Sequence, residues 1–217
     1  MSDSNAVVVY SRMIKLSHSI FALPFAFAAA VLAARFVDVT WLQLCLILWC
    51  MVTARSCAMG FNRIVDRDID ALNPRTQGRE IPSGQISVRT AWGLTVGSAV
   101  LFIAGAWSLS MVTFWLSPVA LTIICGYSLS KRVTWLCHLI LGVALALAPS
   151  AVWIALTESY GWIPLMLSLA VGSWVAGFDI IYSCQDADFD TTEGLYSIPS
   201  TFGLGGALLI SAALHVV

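Results

Sequence analysis

The chain of 217 residues is 59% hydrophobic and 11% charged, with a net charge of −1 and a mean hydropathy of +0.86. Soluble domains carry about 25% charged residues, so a water-facing globule is excluded and the lipid bilayer is the expected solvent. A net charge so close to zero gives no basis for a nucleic-acid partner, and none is expected.

The N-terminal eleven residues are polar, contain Asp3 and lack a basic region. No small-residue cleavage site follows the first apolar run, so an uncleaved first helix is expected rather than a signal peptide. Six apolar segments reach the length of about 20 residues that a bilayer requires, at 17–37, 41–61, 89–109, 112–130, 134–156 and 162–182. A seventh starts near Gly203 and runs to the last residue, Val217. Pro24, Pro118, Pro149 and Pro164 fall inside or near the ends of spans, where neighbouring helices can satisfy the freed backbone groups. The expected fold is all-α, a multi-helix transmembrane bundle forming one domain over 1–217. Six cysteines, at 45, 50, 57, 125, 137 and 184, include no CxxC pair and lie mostly in apolar runs. They read as packing residues rather than a disulfide or zinc framework.

The connections alternate in charge. Arg12, Lys15, Arg63, Arg67, Arg75, Arg79, Arg89, Lys131 and Arg132 fall at the N-terminus or in the 2–3 and 4–5 connections, against Arg35 alone on the other side. The positive-inside rule sets the N-terminus and these loops in the cytoplasm. The acidic stretch after the sixth span falls on that same side.

Two acidic segments hold the candidate chemistry. In the first, Asn62, Asp66 and Asp70 recur every four residues and on a helix share about 80° of arc. Asp68 points elsewhere, and Arg55 precedes Asn62 on nearly the same stripe. In the second, Asp179, Asp186 and Asp190 would share about 40° on a continuous helix, with Tyr182 flanking and Asp188 turned away. Clustered carboxylates at a membrane interface repel one another and lose hydration, so cations are expected to hold them. Oxygen-only ligands select a hard ion, magnesium before calcium or zinc. With Arg and Lys nearby, this suggests a diphosphate held between two metal-bearing helix ends. A third feature, Tyr127 and Lys131 at i, i+4 followed by Arg132, is read either as a leaving-group neutraliser or as an ordinary basic helix end.

These residues resemble the UbiA superfamily of intramembrane prenyltransferases. Asn62-x-x-x-Asp66-x-x-x-Asp70 looks like its first Asp-rich motif. Asp179-x-x-Tyr182-x-x-Gln185-Asp186-x-x-x-Asp190 looks like its second, and Tyr127-x-x-x-Lys131 its intervening Tyr/Lys motif. The loop Asn73-Pro74-Arg75-Thr76 and the order of the motifs fit as well. The segment 14–25 is similar to the 4-hydroxybenzoate polyprenyltransferase branch, some of whose members are thought to act on a dihydroxynaphthoate. His18, within it, reads as an interfacial helix-start residue or as part of the substrate region.

The resemblance implies about nine membrane helices, of which this chain would carry six and part of a seventh. The helices that close the bundle would then be missing, which leaves the activity of the shortened chain open. It implies magnesium on Asn62, Asp66 and Asp70, and a second ion on Asp186 and Asp190 with Asp179 as a further candidate donor. It implies a polyprenyl diphosphate whose leaving group is stabilised by Lys131, with Arg63, Arg67 and Arg132 as candidate helpers. Tyr127 and Tyr182 would shield the allylic cation, and the acceptor would be an aromatic acid of 4-hydroxybenzoate type in quinone biosynthesis. Arg55 would bind the acceptor carboxylate or pair with an acid such as Asp66. Dihydroxynaphthoate prenylation and, from another class, a non-catalytic transporter are the alternatives. A bacterial inner membrane is the expected location.

Overall fold

The computed structural model describes residues 3–14 and 23–216. His18 and most of the 14–25 resemblance therefore lie outside the described residues, as does much of the expected first span. The described residues form helices joined by turns and loops, without a strand: α1 Asp3–Met13, α2 Leu23–Ala33, α3 Trp41–Val65, α4 Arg67–Leu72, α5 Val88–Leu109, α6 Met111–Ser130, α7 Cys137–Thr157, α8 Trp162–Ser183, α9 Ala187–Thr192 and α10 Ile198–Val216. Six of these stretches are long and apolar enough to cross a membrane, α8 and α9 counting as one. The chain is an integral membrane protein.

Local chemistry sets the boundaries. Thr40 opens α3 with a reciprocal capping box to Gln43, and the Ser87 hydroxyl accepts from Thr90 N–H to open α5; both satisfy backbone donors that a helix start leaves over. Two expectations are corrected here. The C-terminal span does not start near Gly203. It begins at Ile198 and reaches 19 residues, with a kink at Gly203 (φ 69°, ψ 172°), a conformation that glycine adopts without a Cβ clash. The helix carrying Asp179 does not continue through the second acidic segment. It stops at Ser183, passes through a 3-10 turn at Cys184–Asp186 and resumes as α9. Ser183 Oγ and Cys184 Sγ both engage the Ile180 carbonyl, at 2.8 and 3.4 Å. Such side-chain bonds compete with the helical ladder, and the tighter turn follows.

The helices form two compact units. The first holds residues 1–24 and 38–125, the second 25–37 and 126–217, so α6 contributes to both. In the first unit α3 packs along α5, with α1 against both. Tyr10 of α1 donates its hydroxyl to Ser56 O at 2.9 Å and lies 3.3 Å from Thr95 Oγ1. Around it Met13, Ile14, Ile64, Ile81, Ile86 and Ala91 make the core. Gly60 admits this contact, since a Cβ there would strike the Tyr10 and Thr95 oxygens. In the second unit α7 packs along α8, and α10 against α8. Small residues allow the close approach that membrane helices use in place of a hydrophobic drive. Gly142 faces Gly172 across the α7–α8 contact, and Ser211 of α10 donates to Gly177 O at 2.8 Å.

Candidate functional site

In the first unit α3 breaks at Asp66 (φ −87°, ψ 1°) and resumes as α4. The helical bonds along the polar stripe survive the break, from Asp66 N–H to Asn62 O at 2.9 Å and from Asp70 N–H to Asp66 O at 2.7 Å. Asn62 Nδ2 donates to Asp66 Oδ2 at 3.0 Å, so Asn62 and Asp66 stand together. Asp66 and Asp70 are only 2% and 4% exposed. Buried carboxylates need partners. Asp70 finds two, Arg79 Nη1 at 2.6 Å and Arg63 Nη1 at 3.9 Å.

The loop after α4 brings Arg79 back. Asn73 Oδ1 accepts from Arg75 N–H at 2.9 Å, an Asx turn of the kind that reverses the chain. Thr76 Oγ1 then donates to Asp70 O at 3.0 Å. Arg12, Arg63, Arg75 and Arg79 line a cavity of about 250 Å³ beside this set. Asp68 is exposed, as expected, and Arg67 Nε lies 3.3 Å from its Oδ1. Arg67, a candidate for the substrate, is thus engaged on the outer side of α4. Arg55 is half-buried in α3.

In the second unit the 3-10 turn replaces the single helical face assumed for Asp179, Asp186 and Asp190. Asp179, on α8, has its Oδ2 2.7 Å from His138 Nδ1 on α7. Asp190 lies within electrostatic reach of Asp186, Lys131 and His138. Lys131, after α6, is tied to this end of the unit by its carbonyl, which accepts from Tyr196 N–H at 2.8 Å. Tyr127 and Arg132 are half-buried, whereas Tyr182 and Asp188 are exposed.

Two residues outside the candidate site set of the sequence emerge, Arg79 and His138. Arg79 carried no signal beyond its charge. His138 did carry one: an imidazole inside an apolar run must find a hydrogen-bond partner once buried, and an acid on a neighbouring span is the natural candidate. The donors of both acidic sets are oxygens, which fits a hard dication. Among the described residues no three His, Cys, Asp or Glu side chains gather into a cation site. Water or phosphate oxygens would have to complete any coordination shell, the usual pattern for magnesium.

The model of the UbiA prenyltransferase family matches residues 22–217. The chain belongs to this family. A UbiA homolog from Aeropyrum pernix K1, solved in its apo form, is 37% identical and superposes with a TM-score of 0.87 over 93% of this chain and 75% of that one. A UbiA homolog from Archaeoglobus fulgidus, solved with DMAPP and Mg2+, shares the fold at 23% identity, with a TM-score of 0.76 over 95% of this chain and 75% of that one. The 4-hydroxybenzoate octaprenyltransferase of Serratia proteamaculans (strain 568) is 31% identical over 160 residues, which are 74% of this chain and 54% of that protein. The chain spans about half the length of the curated relatives it matches. The acidic segments 62–70 and 179–190 and the Tyr127/Lys131 pair all fall within the part that matches the UbiA family.

Proposed function

We propose that the protein transfers a prenyl group from a prenyl diphosphate to an aromatic acid of the 4-hydroxybenzoate type, with Mg2+ as cofactor, toward a membrane quinone. What supports this most directly is the company Lys131 keeps: a cation suited to a departing diphosphate stands with Asp186 and Asp190, two carboxylates of the kind magnesium takes. The names of the relatives agree with the acceptor class, and the Archaeoglobus structure was solved with a prenyl diphosphate and Mg2+.

In this reading Asn62, Asp66 and Asp70 would hold one ion, and Asp186 and Asp190 would hold a second. Magnesium, when bound, neutralises the charge that grows on the diphosphate as the allylic C–O bond breaks. Arg79 and Arg63 pair with Asp70 and hold its carboxylate in place. Lys131, with Arg132, takes up negative charge on the leaving oxygens; preplaced cations lower the barrier because they need no reorganisation at that moment. Arg63 and Arg67 are the further phosphate contacts. Tyr127 and Tyr182 turn ring faces toward the allylic cation. The diphosphate departs with the C–O electron pair, the acceptor ring attacks the allylic cation through the carbon ortho to its phenolic oxygen, and the proton on that ring carbon leaves to solvent, restoring aromaticity. Arg55 serves the acceptor carboxylate or pairs with Asp66, and Asp179 is a further substrate-side or metal-side oxygen donor. The N-terminus and the acidic loops face the cytoplasm, by the asymmetry of basic residues, and a bacterial inner membrane suits the quinone route.

The test is product analysis. Full-length protein in liposomes is supplied with a prenyl diphosphate and, separately, with 4-hydroxybenzoate and a dihydroxynaphthoate. The expected result is the mass of prenylated 4-hydroxybenzoate, lost on magnesium chelation and restored by adding the ion. Prenylation of the naphthoate alone would move the acceptor. Absence of any prenylated product would overturn the reading.

A further inference from the structure

His138 is the second residue of α7, is 4% exposed and touches two other helices of its unit. Its Nδ1 lies 2.7 Å from Asp179 Oδ2 on α8. Its Nε2 accepts from Ile198 N–H at 3.2 Å, at the start of α10. Ser183 Oγ is more distant, 3.5 Å from the same nitrogen.

The second contact decides the proton. A backbone N–H only donates, so Nε2 must present its lone pair and the single ring proton must sit on Nδ1, aimed at Asp179. A second ring proton would have to occupy Nε2 and expel Ile198 N–H, which has no i−4 carbonyl of its own at a helix start. Leaving such a buried donor unsatisfied costs about 1–3 kcal/mol. The next donors in α10 are served by Ser197, whose Oγ accepts from Ser200 N–H at 3.2 Å and whose carbonyl accepts from Thr201 N–H at 3.0 Å. Ile198 therefore depends on the imidazole.

Asp179 is held by one oxygen. Its Oδ1 has no hydrogen-bond partner among the described residues, and its side chain is 30% exposed. His138 is also within electrostatic reach of Asp190. We propose that His138 is a positioning residue for prenyl transfer: Ile198 N–H locks its Nε2, and its Nδ1–H fixes Asp179 Oδ2 so that Oδ1 is presented as a ligand. The proposal rests on the prenyl-transfer reading for its catalytic meaning, while its hydrogen-bond geometry stands separately. The arrangement inverts the usual carboxylate–histidine–metal order: here the histidine orients the carboxylate.

Two measurements test it. Nitrogen-15 NMR of histidine-labelled protein in nanodiscs reads the tautomer directly. The His138 signals are assigned by their loss in His138→Gln or, should that variant not fold, by elimination using His18→Gln and His215→Gln. Protonated Nδ1 with bare Nε2 is expected; an Nε2–H tautomer or an imidazolium at neutral pH would overturn the proposal. The second measurement is the magnesium dependence of turnover in the full-length protein. His138→Asn keeps an N–H donor where Nδ1 stood, and His138→Gln moves the amide to the Nε2 position. The magnesium concentration for half-maximal turnover should rise about 10- to 100-fold in His138→Gln and recover most of that loss in His138→Asn. Equal losses in both variants, or an unchanged magnesium requirement in the glutamine variant, would reduce His138 to a packing residue. Asp186→Ala separates the two readings: magnesium-dependent turnover that survives it defeats the prenyl-transfer site, while the NMR still decides the His138–Asp179 geometry.

Discussion

Arg79 Nη1 sits 2.6 Å from Asp70 Oδ1, closing the loop after α4 onto a carboxylate that is almost wholly buried. Arg63 approaches the other oxygen only to 3.9 Å, so Arg79 is the principal partner. The first acidic set thus combines an acid suited to metal binding with a built-in counter-charge.

Truncating Arg79 leaves Asp70 buried with the more distant arginine. Arg79→Ala should destabilise the protein by about 3 kcal/mol, the scale for breaking a buried ion pair from one side. Arg79→Lys keeps the charge without the planar fork and should lose less. Thermal unfolding in detergent measures both, and an unshifted midpoint for the alanine variant would deny the pairing.

Asp66 and Asp68 separate function from surface. Asp66 is buried and bonded to Asn62, whereas Asp68 is 83% exposed on its side chain. Asp66→Ala should cut magnesium-dependent turnover by at least about 100-fold, with Asp68→Ala near the parent. Comparable losses at both positions would show a general charge effect.

Lys131 is predicted to act in the transition state. Lys131→Ala should lower kcat by about 100- to 1,000-fold and change the KM for the prenyl diphosphate much less. A rise in KM at constant kcat would mean that Lys131 binds the ground state equally well.

The α7–α8 contact is predicted to be intolerant of one methyl group. A Cβ on Gly142 would stand 2.5 Å from Gly172 O and 3.1 Å from Ala176 Cβ, and backbone cannot yield as a flexible side chain would. Gly142→Ala should destabilise by about 1–3 kcal/mol. Gly97→Ala, where the new methyl meets nothing within 4 Å, is the matched control. Unfolding midpoints of the two variants decide the matter.

Spans and site were legible to different depths. Apolar runs of bilayer length marked α3, α5, α6, α7 and α8 closely, because in lipid the backbone must bond within its own segment. The four-residue spacing of Asn62 and Asp66 also carried over, since a helix turns that spacing into a contact. The break at Ser183 did not show. It depends on two short side chains capturing one carbonyl, a local competition that a periodicity average passes over. The start of α10 at Ile198 was missed because the Gly203 kink resembles a boundary when only glycine and apolarity are read.

Sequence alone settled the membrane as solvent and the all-α class; these follow from composition and periodicity, which act over one or two helical turns. Tertiary structure decided which cation answers which acid. Asp70 takes Arg79, nine residues on, and Asp179 takes His138, 41 residues back on another helix. Such pairings are chosen by the cost of burying an unpartnered charge, a cost that exists only once helices have packed and water has left.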